Sequence, residues 1–209
     1  MLQVNRRKQA REMKRLIGAD MELYSLWPRT YGLIPRRRRG LSLFLYLFFT
    51  VHTFPAVFLY RIQTFLYEAN FHPLATLVSR INHLLFGVTI GNHVRTTGGL
   101  QLGHGHVVID GFTFLGDNVT VNPFVTIGIG NSEQNLFGLW GPVIGNNVHI
   151  GTGAKILGKV NIGDFAKIGA NAVIVHDVPA YHTAVGVPAR SFPTAGKAAD
   201  PSVAHQGED

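Results

Sequence analysis

Along the second half of the chain, aliphatic side chains return every six residues. From Ile90 the beat runs through Thr96 and Leu102, takes one seven-residue step to Ile109, and continues at Leu115, Val121 and Ile127. After an interruption it resumes at Ile144 and passes through Ile150, Ile156, Ile162, Ile168 and Ile174. Small or β-branched residues follow four places behind most beats, at Val94, Val119, Val125, Val148, Ala154, Val160, Ala166 and Ala172. Neither the 3.6-residue period of an α-helix nor the two-residue period of a flat strand gives a strict six. A short fixed period marks a solenoid. Three sides of six residues close one triangular coil. The aliphatic and the small residue fill its interior, and glycine or asparagine takes the corners where φ is positive. The pattern predicts a mainly β fold, a parallel β-helix over residues 87–192.

The N-terminal part reads differently. Residues 1–40 form a basic, partly helical arm, and residues 41–86 form two or three helices. Leu74, Leu77, Val78, Ile81, Leu84 and Leu85 recur at threes and fours, which is one helical face, framed by Pro73 and Gly87. Residues 193–209 carry no period and read as a disordered tail. From Leu41 to Tyr60 there are twenty residues without a formal charge, preceded by Arg36 to Arg39. A spanning helix needs about 20 apolar residues, but Pro55 and His52 interrupt this one. The favoured reading is a buried or subunit-interface helix, ahead of a helix lying on a membrane surface and of a true span.

The beat breaks between Ile127 and Ile144. A coil cannot absorb an aperiodic insertion, so residues 129–142 project as a loop. Phe137 and Trp140 in that loop need a surface to cover, and the wall of a functional site would provide one.

Composition narrows the partners. There is no cysteine, which excludes disulfides and thiolate metal sites. The absence of a secretory signal fits a cytoplasmic protein, at most in peripheral contact with the inner face of the membrane. The net charge of +7, concentrated near the N-terminus, suits anionic lipid or an anionic substrate. No nucleic-acid-binding motif accompanies it, so nucleic acid is not expected.

Of ten histidines, two stand apart. His104 and His106 fall in the only seven-residue step, QLGHGHVVI, where the extra residue bulges the turn and re-aims side chains. Glycines flank His104 on both sides.

Several strings resemble the hexapeptide-repeat acyltransferases, which fold as left-handed parallel β-helices: FPAVFLYRI at 54–62, GVTIGNHVR at 87–95, LQLGHG at 100–105, IGTGAKILG at 150–158, KIGANAVIV at 167–175 and AVGVPAR at 184–190. The likeness is greatest to the serine acetyltransferase branch. It implies acetyl-CoA as donor, no metal, and a homotrimer with active sites between neighbouring prisms. It places the catalytic base on His104, the pantetheine groove at Thr152, Gly153 and Ala170, and a phosphate contact at Arg190. Lys155 and Lys167 are candidate helpers of that contact, or else solvated surface lysines. Four positions depart from the branch. Gly103 and Thr89 stand where it has aspartates, and Trp140 and Gly141 where it has an Arg-His pair. A zwitterionic acceptor needs charged partners. Their loss, with Phe137 and Trp140 as a platform, points to a carbohydrate acceptor in surface polysaccharide synthesis. A backbone carbonyl or Asp110 would orient His104, and Asp110 is also a candidate substrate contact. Serine O-acetylation is the second reading. A zinc site on His104, His106 and His149 and a non-enzymatic scaffold are the alternatives of other classes.

Overall fold

The computed structural model describes residues 6–30, 39–130 and 141–194. Four helices come first: α1 (Arg6–Thr30), α2 (Gly40–Thr50), α3 (Phe54–Glu68) and α4 (His72–Phe86). Fifteen short strands follow: β1 (Val88–Ile90), β2 (Arg95–Thr96), β3 (Leu100–Leu102), β4 (Val107–Ile109), β5 (Phe114–Leu115), β6 (Val119–Val121), β7 (Thr126–Gly128), β8 (Val143–Ile144), β9 (His149–Ile150), β10 (Lys155–Leu157), β11 (Asn161–Ile162), β12 (Lys167–Ile168), β13 (Val173–Ile174), β14 (His182–Gly186) and β15 (Ala189–Pro193).

The strands wind into a parallel β-helix of about five coils. Its first sheet runs β1-β4-β7-β10-β13, its second β2-β5-β8-β11, and its third β3-β6-β9-β12-β14-β15. Every neighbouring pair is parallel except β14 and β15, a hairpin that closes the last coil. Each aliphatic beat from Leu102 to Ile174 is buried, and so is the small row four places behind it. Both predicted interior rows therefore form one continuous core. Thr96, the one polar beat, is only half-buried.

A β-helix has two open ends, and the first coil has no coil above it. Its unpaired backbone groups must find other partners. The helices supply them. Asp20 of α1 accepts from the Leu100 amide at 2.8 Å. Tyr24 accepts from the Leu102 amide at 2.9 Å, and Thr53 donates to the Leu102 carbonyl at 2.6 Å. From α3, Tyr60 donates to the Val94 carbonyl at 2.9 Å and Gln63 to the Ile90 carbonyl at 2.8 Å. Arg61 donates to the Gly98 carbonyl at 3.1 Å and to the Thr96 hydroxyl. It also forms a two-pronged ion pair with Asp20, both bonds 2.8 Å, with each side chain 2% exposed. Burial works against the charged guanidinium, and the Asp20 carboxylate overrides it, so Arg61 titrates above its usual range.

Two details of the helices go beyond what the sequence pattern specifies. The apolar face of α4 does not turn inward. Leu74, Leu77, Ile81, Leu84 and Leu85 are exposed, while Ala75 and Asn82 are the buried positions, Asn82 donating to the Ala56 carbonyl of α3 at 3.0 Å. The uncharged stretch breaks into α2 and α3, bent by 114° at Val51–Thr53. Among the described residues no single helix is long and apolar enough to cross a membrane, though this bent pair has the length and composition. Leu43 and Leu47 of α2 are buried, and Leu41, Leu45 and Phe49 face outward.

Replacing Arg61 with Met leaves Asp20 buried without its counter-charge. Chemical denaturation should show a loss of about 3–5 kcal/mol. Glu12→Gln, which breaks the exposed Glu12–Arg15 pair, should cost less than ~1 kcal/mol. Equal small losses in the two variants would show that the helices are not pinned through Arg61.

Candidate active site

Where the third sheet turns into the first, the corners of successive coils stack in register. Phe124 donates to the His106 carbonyl at 2.8 Å, Gly153 to the Pro123 carbonyl at 2.8 Å, and Asn171 to the Thr152 carbonyl at 2.8 Å. One residue per coil takes positive φ there: His106 at 61°, Phe124 at 62°, Gly153 at 75° and Asn171 at 57°. This edge carries His104 in the first coil, Thr152 and Gly153 in the third and Ala170 in the fourth. At the fifth, the Gly169 amide bonds the Ala184 carbonyl, and Val185 pairs with Arg190 across the closing hairpin. Coils lie about 4.8 Å apart, so His104 stands roughly 10 Å above Thr152 and roughly 19 Å above the hairpin. The structure thus brings His104, Thr152, Gly153, Ala170 and Arg190 onto one edge.

The first-coil corner is one residue longer than those below it, as the seven-residue step requires. Its bulge is clamped between two elements. Gly105 lies so close to the Phe86 carbonyl, at the end of α4, that a Cβ there would collide with it. The His106 amide donates to the same carbonyl at 3.3 Å, and the His106 ring lies flat on Phe124, 5.4 Å between centroids. Glycine at 105 is what allows the helix end to press the bulge into place. His104 itself is exposed and has no hydrogen-bond partner among the described residues.

Asp110 does not share this edge. It follows β4, at the corner between the first and second sheets, roughly 13 Å along the strand from His106. The insertion leaves the coil from that same corner, between β7 and β8. Phe137 and Trp140 lie outside the described residues. His149 is on the outer face of the third sheet, its Nε2 3.1 Å from the Asn122 amide. Partial burial and then the Lys167 charge lower its pKa, which favours the neutral ring. Among the described residues, no group of three His, Cys, Asp or Glu is placed to hold a metal ion. Lys155 is engaged locally, donating to the Phe124 carbonyl at 2.7 Å and the Thr126 hydroxyl at 3.1 Å.

Beside the bulge opens a cleft of about 460 Å³ between the last turn of α4 and the first-coil corner. His52 and His83 line it together with His104 and His106. Neither stands out in the repeat pattern, because both lie before its first beat. A signal existed for His83: α4 ends at Gly87, one residue before β1, so its last turn has to sit beside the first coil.

A family model for the bacterial transferase hexapeptide, six repeats, matches residues 141–176. A serine acetyltransferase of Bacillus subtilis is 38% identical over 154 residues, spanning 72% of this chain and 69% of that protein. One from Helicobacter pylori is 37% identical over 138 residues, spanning 66% of this chain and 79% of that protein. The chain belongs to the serine acetyltransferase family of hexapeptide-repeat transferases. Among solved structures, the Neisseria gonorrhoeae serine acetyltransferase in complex with serine superposes with a TM-score of 0.70 at 31% identity, covering 89% of this chain and 72% of that one. A serine acetyltransferase complex with CoA gives 0.73 at 26% identity, covering 90% and 72%. The fold is the expected left-handed β-helix acyltransferase fold, and the chain is an acyltransferase.

The relatives overturn the carbohydrate acceptor. At 35–38% identity they are serine acetyltransferases. The carbohydrate reading counted charged groups missing at Gly103, Thr89, Trp140 and Gly141, position by position. It did not count His52, in the turn between α2 and α3, or His83, in the last turn of α4, both of which line the cleft, and its aromatic platform rested on residues outside those described.

Gly105→Ala should leave the protein folded and lower acyl transfer by about a hundred-fold, the scale of a 1 Å misplacement of a reacting group. Steady-state turnover and a thermal melt, measured on the same preparation, decide it. Wild-type turnover in a folded variant would show that the helix end does not position the bulge.

Proposed function

We propose that the protein is a serine O-acetyltransferase. The donor is acetyl-CoA, and the acceptor is the side-chain hydroxyl of L-serine. His104 takes the hydroxyl proton as the oxygen attacks the thioester carbonyl. The tetrahedral intermediate then expels the coenzyme thiolate, which recovers the proton from His104. The products are O-acetylserine and CoA. An exposed imidazole without a competing hydrogen bond among the described residues is free for both proton transfers.

The observation that carries this reading is the single edge joining His104 to the coenzyme candidates. Backbone at Thr152, Gly153 and Ala170 lines the path for the pantetheine arm, and Arg190 at its foot meets the phosphates. Lys167, on β12 of the same sheet as Arg190, adds positive charge nearby. The roughly 19 Å of edge suits an extended arm with its thioester at the top.

The working assembly in this proposal is a homotrimer. The insertion and His104 leave different edges of one prism, so a loop walling His104 has to come from a neighbouring copy. The exposed row Leu74, Leu77, Ile81, Leu84 and Leu85 supports association as well. The outer row of α2, following the arginines at 36–39, is the part suited to peripheral contact with an anionic membrane surface.

Thiol release from acetyl-CoA in the presence of L-serine tests the reaction. His104→Ala should lower turnover roughly 10²–10⁴-fold with coenzyme affinity nearly unchanged, and His106→Ala should do far less. Equal losses in the two variants would remove His104 from its role. Light scattering should give a mass near three chains; a value near 22.9 kDa, that of one chain, would rule out the trimer.

A further inference from the structure

Three of the four imidazoles in the His104 cleft are held, and one is free. His106 lies flat on Phe124. His52 packs edge-on against Phe86, 5.8 Å between centroids and 66° between planes. His83, in the last turn of α4, has Nδ1 3.0 Å from the Thr89 hydroxyl. Only His104 has neither a hydrogen bond nor a ring contact among the described residues. A group that shuttles a proton benefits from freedom, whereas a group that recognises a substrate benefits from being fixed beforehand.

Among the described residues, the cleft lining contains no acidic side chain. An L-serine molecule bringing an ammonium and a carboxylate into it meets four imidazoles and, among these lining side chains, no carboxylate to pair with the ammonium. The charged end that side chains can recognise here is the carboxylate.

We infer that His83 and His52 form the subsite for the acceptor carboxylate, with His83 the principal partner. The inference rests on serine as the acceptor. When Thr89 donates to Nδ1, the His83 proton sits on Nε2, and the ring presents an N–H donor away from β1. Thr89 is thus a positioning residue acting through His83. The arrangement reads one feature of the acceptor, the negative charge on its α-carboxyl group, and leaves the hydroxyl to His104.

The test compares L-serine with L-serinamide, in which the carboxylate is a neutral amide, on the full-length protein. Wild-type kcat/KM should favour serine by about ten-fold or more, the usual worth of a charged hydrogen bond. His83→Phe keeps a ring but no donor, and should bring the ratio close to one by raising the serine KM, with the acetyl-CoA KM unchanged. His83→Gln, which restores an N–H, should recover part of the preference, and Thr89→Val should lose part of it. An unchanged serine-to-serinamide ratio in His83→Phe, or an equal loss with both acceptors, overturns the subsite while leaving serine acetylation standing. A wild-type protein that acetylates neither acceptor overturns both.

Discussion

The open edge of the first coil is the constraint on which the structure depends. A parallel β-helix satisfies its backbone by stacking, and the first coil has nothing above it. Asp20, Tyr24, Thr53, Tyr60, Arg61 and Gln63 take the place of a missing coil, each bonding a backbone group that would otherwise be buried unpaired. The helices are therefore not an appendage to the solenoid. They are its cap, and the Arg61–Asp20 pair fastens two of them to the same strand end. Because the bulge with His104 belongs to that first coil, the side chains that close the fold also fix the floor of the reaction site.

Much of this was legible in the sequence. The six-residue beat named nearly every interior residue, and the single seven-residue step located the bulge. Three beats make a coil, so residues three beats apart share an edge; the insertion before Ile144 breaks that count, which hides the alignment of His104 with Thr152 and Ala170. Periodicity also says which face of a helix is apolar, but not what covers it. The row from Leu74 to Leu85 has the spacing of a core face, yet α3 packs on the opposite side, through Ala75 and Asn82. Asp110 shows the same limit: it lies six places after His104 in the chain but one corner further around the prism.

The acceptor was misread for a related reason. A comparison of aligned positions registers what a site has lost at those positions. It cannot register groups that arrive from another element. His83 reaches the cleft only because α4 terminates at an αL glycine, φ 64°, and its last turn is set against the first-coil corner. Charge recognition in a cleft is a property of the enclosed space, and side chains from the helical cap count as fully as those of the coil.

The stacked edge has a further consequence, which concerns length. A loop-built site can stretch or shrink by fractions of an ångström through small backbone changes. Here the separation between His104 and the closing hairpin is a whole number of strand spacings, each about 4.8 Å. It is a ruler with fixed graduations. An insertion at a corner, such as the one before β8, leaves the graduations untouched, because the backbone bonds from corner to corner hold the coils at contact distance. Only the gain or loss of an entire coil changes the reading, and then by a full step. A protein built this way selects a ligand of one extended length, and it keeps that selection through wide changes in the residues on its surface.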